Sequence, residues 1–178
     1  MQNLLHGARL FAVQMNESEA QHATGTDSIE EAIVHLRHWA GDETLVIITT
    51  ATCALAWTAT HYVKIPACRV SVADTTGCGD GFAAAVLATL LQRAPIQKAL
   101  ENGHRNGASV AKHVGATTGQ LDWEALNAFD AEQYAEPQSA GLPAPTKAAI
   151  EAPQPARGFA WAIAAAAVFL LALVAWAK

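Results

Sequence analysis

The body of the chain alternates short β-branched apolar runs with longer stretches whose apolar residues recur every three or four positions, the period of an amphipathic helix. Residues 44–50 (TLVIITT) form an apolar run of strand length without polar alternation, which predicts a central strand covered on both faces. Residues 28–39 (SIEEAIVHLRHW) carry Ile29, Ile33 and Leu36 on one helical stripe, and Ser28 followed by Glu31 predicts a capping box at its start. Ahead of these, 12–14 read as the end of a strand and 16–22 as the beginning of a short helix. After them, 54–58 and 61–65 read as a hairpin around Ala59 and Thr60, and 68–72 as a further strand. Helices are expected over 81–92, 96–113 and 122–129. Strands alternating with helices imply an α/β layered domain, with ligands at the carboxyl ends of its strands.

The remainder of the chain changes character. Residues 136–158 are rich in Pro, Ala and Gly with no apolar period, which predicts a linker. Residues 159–177 (FAWAIAAAAVFLLALVAWA) contain no charge and as a helix would extend roughly 28 Å, near the hydrocarbon thickness of a bilayer. Trp161 and Trp176 lie near the ends of this run, and Arg157 and Lys178 flank it, as interfacial anchors do. The alternative is an alanine-rich buried helix. The expected division is a folded body over 1–135, a tether over 136–158 and a single transmembrane helix over 159–177. The amino terminus lacks the pattern of a secretory signal, which places the body on the cytoplasmic side of the membrane.

Charge and cysteine content narrow the chemistry. Eleven Lys and Arg against 16 Asp and Glu, a formal net charge of -5, exclude the basic footprint of a nucleic-acid binder. Cys53, Cys68 and Cys78 are odd in number and lack CxxC spacing, so neither a disulfide framework nor a zinc knuckle is expected.

The stretch VADTTGCGDGFAAAVLATLL, residues 72–91, carries the strongest chemical signal. Asp74 precedes a turn, Gly77, Cys78 and Gly79, that opens a helix whose first backbone N–H groups have no partner inside the helix. Glycines there permit positive φ and close approach, so the turn suits an oxyanion favoured by the helix dipole. Asp80 at the helix start is placed to take a proton from a hydroxyl attacking phosphorus. The alternative is an ordinary helix start with Asp80 capping backbone donors.

DTTGCGDGF at 74–82 resembles the D-T-x-G-A-G-D signature of the ribokinase, or PfkB, family of carbohydrate kinases, with Cys78 where alanine or glycine is usual. QMNESEAQHATG at 14–25 is similar to the family's N-x-x-E segment, matching at Asn16 and Glu19, and NGHRNGASVAKHVGATTG at 102–119 resembles its late helix and following loop, matching at Asn106. The resemblance runs from about Leu10 to Phe129 and implies a partial ribokinase-like three-layer α/β fold using ATP and magnesium. It implies that Asp80 is the general base and that the N–H groups of Gly77, Cys78 and Gly79 form the anion hole. It further implies that Asn16 and Glu19 position magnesium through water, that Asn106 and Thr49 border the nucleotide, and that Asp74 and Thr75 hold a monovalent cation such as potassium.

The departures open a second class of function. Where the family carries T-L-G-x-x-G, this chain has Thr49, Thr50, Ala51 and Ala54, with alanine for both glycines. The half of the family fold that holds most sugar-binding residues has no counterpart, which implies another protein chain covering the exposed half-domain or packing on the transmembrane helix. Two readings follow: a membrane-tethered kinase for a sugar or similar alcohol, or an inactive accessory subunit of a membrane assembly. His35 and His38, three apart on one helix, are read as a solvated helix face in preference to a metal pair. Cys78 is read as a small-residue replacement in preference to an activated thiol, and Trp39 and Trp57 as core or interface residues.

Overall fold

The computed structural model describes Leu5 and residues 10–132. The linker and transmembrane segments expected over 136–158 and 159–177 lie outside the described residues. Among the described residues no helix is long and apolar enough to cross a membrane.

Within the described residues the chain forms two compact units, one built from Met1–Thr49 and Leu55–Tyr62, the other from Thr50–Ala54 and the stretch that starts at Val63. The first unit begins with β1 (Ala12–Asn16), followed by α1 (Glu17–Thr24), α2 (Ile29–Ala40) and β2 (Leu45–Thr49). β1 and β2 pair in parallel, in a register that sets Ala12 beside Leu45 and Asn16 beside Thr49. The β-branched run predicted as a doubly covered strand is that: Leu45, Val46, Ile47 and Ile48 are all buried. Ile33 and Leu36 of α2 are fully buried, as their spacing requires.

The caps differ from expectation in an informative way. At α2 the Ser28 hydroxyl accepts from the Glu31 N–H at 3.2 Å, but the Glu31 carboxylate takes the Thr26 hydroxyl at 2.7 Å in place of closing the box. The complete capping box is at α1, where Asn16 Oδ1 accepts from the Glu19 N–H and Glu19 Oε2 accepts from the Asn16 N–H, both at 2.9 Å. At the other end of α2 the buried Arg37 guanidinium donates to the carbonyls of Gly41 (2.8 Å) and Thr44 (2.9 Å), tying the helix exit to the start of β2. His35 is buried with its ring 6.1 Å from that of Trp39, whereas His38 is exposed, so the two do not share one solvated face. Trp39 is a core residue.

β3 (Cys53–Trp57) and β4 (Tyr62–Pro66) make the predicted hairpin, closed by the Thr58 N–H donating to the His61 carbonyl at 2.8 Å. The tip packs Trp57 edge-on to Tyr62 with ring centroids 6.3 Å apart. The strands lie in the order β1-β2-β3-β4, a mixed sheet with a parallel pair and hairpin-linked neighbours.

The second unit is dominated by α3 (Cys78–Leu91) and α4 (Ile96–Ala111), completed by α5 (Trp123–Ala128) with Asp122 as its N-cap. The two long helices approach closely because glycine removes the side chains between them. A Cβ on Gly103 would lie 2.8 Å from Val86 and 2.9 Å from the Phe82 ring, and one on Gly107 would lie 3.1 Å from the Cys78 carbonyl. The strand expected over 68–72 is absent. Cys68 makes an isolated bridge, and the segment after it is held irregularly, with the Arg69 N–H donating to the Glu132 carbonyl at 2.6 Å and the Ala73 N–H to the Ala111 carbonyl at 2.7 Å. A β-branched run without a ladder partner stays a coil.

Candidate functional site

The candidate residues divide between the two units. Asn16, Glu19 and Thr49 belong to the first; Asp74, Thr75, Gly77, Cys78, Gly79, Asp80 and Asn106 belong to the second.

In the first unit, Asn16 and Thr49 are register partners at the carboxyl ends of adjacent parallel strands, where α/β folds bind ligands. The Thr49 hydroxyl donates to the Met15 carbonyl at 3.4 Å. The capping box engages one oxygen of Glu19 and the side-chain oxygen of Asn16. This fits a magnesium ion held through water better than one ligated directly by both side chains.

The second unit gathers the remaining residues around the start of α3, which begins three residues earlier than its apolar pattern suggests, at Cys78. Its N-cap is Gly77, at φ 79° and ψ -2°, with no side-chain cap hydrogen bond. Asp80 therefore does not cap the helix. It sits in the first turn, exposed, and its carboxylate has no hydrogen-bond partner among the described residues. The Cys78 N–H, expected as an anion-hole donor, donates to the Thr75 carbonyl at 3.2 Å, and the Gly81 N–H to the Gly77 carbonyl at 2.8 Å.

The two glycines of the turn serve different purposes. A Cβ on Gly77 would fall 2.1 Å from the Ala116 carbonyl oxygen, so Gly77 answers both a left-handed backbone and a backbone packed against it. A Cβ on Gly79 would meet nothing within 4 Å. Gly79 and the open space beside it lie at the positive end of a 14-residue helix.

The loop after α4 braces this turn. Asp74 Oδ1 accepts from the Thr76 N–H (2.9 Å) and hydroxyl (2.8 Å), and Oδ2 accepts from the Gly115 N–H (3.0 Å). The Thr76 N–H, the Gly115 N–H and the Thr76 hydroxyl, in that order, hold the Asp74 carboxyl below its ordinary value. Asn106 is buried, with Nδ2 donating to the Gly81 carbonyl (2.8 Å) and to Gln120 Oε1 (2.7 Å) while Oδ1 accepts from the Leu121 N–H (2.8 Å). Its amide binds α3 to the loop. Burial, and secondarily the Asp74 carboxylate, push the Cys78 thiol up, so this cysteine is not activated. Desolvation lowers the His104 imidazole from 6.5 to about 4, its ring packed edge-on against Phe82 at 5.2 Å.

Sequence reasoning missed Thr76, Gly115, Gln120 and the glycine pair at 103 and 107. The GHRNG spacing signals close helix approach, since residues four apart share one helix face. Gly115 and Gly119, both at positive φ, mark the tight loop around Ala116. Among the described residues no group of three or more His, Cys, Asp or Glu side chains forms a metal cluster.

Residues 2–123 match the model of the pfkB family carbohydrate kinases. The chain is 32% identical over 121 residues to the aminoimidazole riboside kinase of Salmonella typhimurium, covering 65% of this chain and 38% of that protein. It is 28% identical over 112 residues to fructokinase-1 of Oryza sativa subsp. japonica, covering 58% and 34%. The crystal structure of the Vibrio cholerae O395 fructokinase bound to fructose, ADP and calcium superposes with a TM-score of 0.60 at 32% identity, covering 67% of this chain and 40% of that one. The chain thus spans 34% to 40% of the length of these relatives.

Proposed function

Because the chain belongs to the pfkB family of carbohydrate kinases, we propose that the second unit binds the phosphates of ATP at the start of α3 and that Asp80 accepts the proton of an attacking hydroxyl on a sugar or similar alcohol. The observation that carries this reading is the Gly77 turn: a left-handed N-cap with no capping side chain, open space over Gly79, and an exposed Asp80 carboxylate beside it. A helix end left uncapped by its own chain favours an anionic ligand. In the first unit, Asn16 and Glu19 would hold magnesium through water, and the ion would supply positive charge for phosphoryl chemistry when bound. The pairing of Thr49 with Asn16 at the carboxyl ends of parallel strands supports a nucleotide-bordering role for Thr49. The Asp80 carboxylate would take the acceptor proton as the new O–P bond forms, while the helix terminus stabilises charge on the transferring group.

In this reading a further polypeptide contributes to the acceptor pocket. The uncharged run at 159–177 supports a membrane tether, with the folded units on the cytoplasmic side. Alanine at 51 and 54, where the family carries glycine, supports a second reading, an inactive accessory subunit that docks on a membrane assembly.

Calorimetry of the full chain in detergent with magnesium-ATP separates them. The kinase reading expects magnesium-dependent binding by the wild type and by Asp80→Asn alike, with phosphoryl transfer to a panel of sugars reduced by about 10²- to 10⁴-fold in the variant. A folded wild type that binds no magnesium-ATP contradicts it and leaves the accessory reading.

A further inference from the structure

The Asp74 carboxylate is engaged on both of its oxygens. Its two oxygens already accept three hydrogen bonds, two from Thr76 and one from Gly115, a residue 41 positions away. The same stretch is joined to the end of α4 by the Ala73 N–H, which donates to the Ala111 carbonyl at 2.7 Å, and it presses Gly77 against the Ala116 backbone so closely that no Cβ fits between them. Donor hydrogens therefore meet both oxygens of the carboxylate, one from the turn itself and one from the distant loop. We propose that Asp74 is a positioning residue: a hydrogen-bonded clasp that locks the loop at 113–116 onto the Gly77 turn and so fixes the start of α3 for phosphate. The proposal deepens the nucleotide-binding reading above and rests on it for its functional consequence; the clasp itself is tested without nucleotide.

Two half-clasps follow from the geometry. Oδ1 orders the turn locally through Thr76, and Oδ2 carries the long-range connection to Gly115. An asparagine keeps one carbonyl oxygen for Thr76 but turns an N–H₂ toward the Gly115 N–H, donor against donor. An alanine removes both.

Hydrogen exchange followed by mass spectrometry on the full chain in detergent reads the two halves separately, in peptides covering 74–80 and 113–119. In Asp74→Ala both peptides should exchange at least about tenfold faster, as the loss of charge-assisted hydrogen bonds requires. In Asp74→Asn only 113–119 should accelerate, and magnesium-ADP should restore its protection while binding more weakly than to the wild type. Should the alanine variant fail to fold, the asparagine variant decides alone. Unchanged exchange at 113–119 in Asp74→Asn would overturn the proposal. So would protection of 113–119 in the wild type that appears only when sodium is replaced by potassium, because a cation would then be doing the holding. If the wild type binds no nucleotide, the kinase reading fails while the exchange pattern still judges the clasp.

Discussion

Two helix starts in this molecule are built in opposite ways. α1 is sealed: Asn16 and Glu19 satisfy each other's backbone donors, and the helix end is complete within the chain. α3 is left open: its N-cap is a left-handed glycine, no side chain caps it, and the space over Gly79 is empty of protein. Both carry an acidic residue three positions after the cap, Glu19 and Asp80, but one carboxylate folds back onto the backbone and the other remains unpaired among the described residues. The contrast teaches that an acidic residue near a helix start is not by itself a cap or a site. The residue at the N-cap decides, because only an oxygen-bearing side chain there organises the reciprocal bond. Glycine supplies no such oxygen, and the Asp80 carboxylate is left without a partner among the described residues.

The largest expected effect breaks the open turn itself. Gly77→Ala should cost about 4 kcal/mol or more in denaturant unfolding, since it forces a side chain into left-handed backbone and into the Ala116 carbonyl. Gly79→Ala, one turn residue away with nothing within 4 Å, should leave unfolding unchanged or raise stability by up to about 1 kcal/mol. Equal losses at both glycines would erase the distinction drawn between them. Asn106→Ala should cost about 3 to 4 kcal/mol, because it strands the Gly81 carbonyl, Gln120 and the Leu121 N–H together.

His104 sharpens the comparison by pH. Its folded value of about 4 lies below its ordinary 6.5, so the unfolded chain binds this proton first. Stability is therefore intact above pH 6.5 and declines as pH falls toward 4, by roughly 3 kcal/mol over that window. His104→Phe should flatten this part of the pH–stability curve, and an unchanged curve would assign the acid sensitivity elsewhere. The smallest effect belongs to the sealed end: Asn16→Ala should cost about 1 kcal/mol and Asn16→Ser much less, by thermal unfolding.

Much of this was legible. The buried strand at 45–49, the hairpin and the helices at 29–40 and 96–111 follow from period and β-branching, and the Gly77 to Asp80 turn is visible as a helix start designed around glycine. The capping box at Asn16 is legible as well, an Asn followed three residues later by Glu. The false strand at 68–72 shows that β-propensity does not supply a partner. The bracing loop was not readable, because its bonds join residues as distant as Asp74 and Gly115 and use backbone donors that carry no sequence signature.

The central claim is that the uncapped start of α3 is a phosphate site, and Gly79→Ala tests it most directly. Calorimetry with magnesium-ADP should show binding by the wild type and its loss by about tenfold or more in a variant whose unfolding midpoint is unchanged, because a methyl group there occupies the phosphate space and nothing else. Equal affinity in the two proteins, or no binding by a folded wild type, would contradict it.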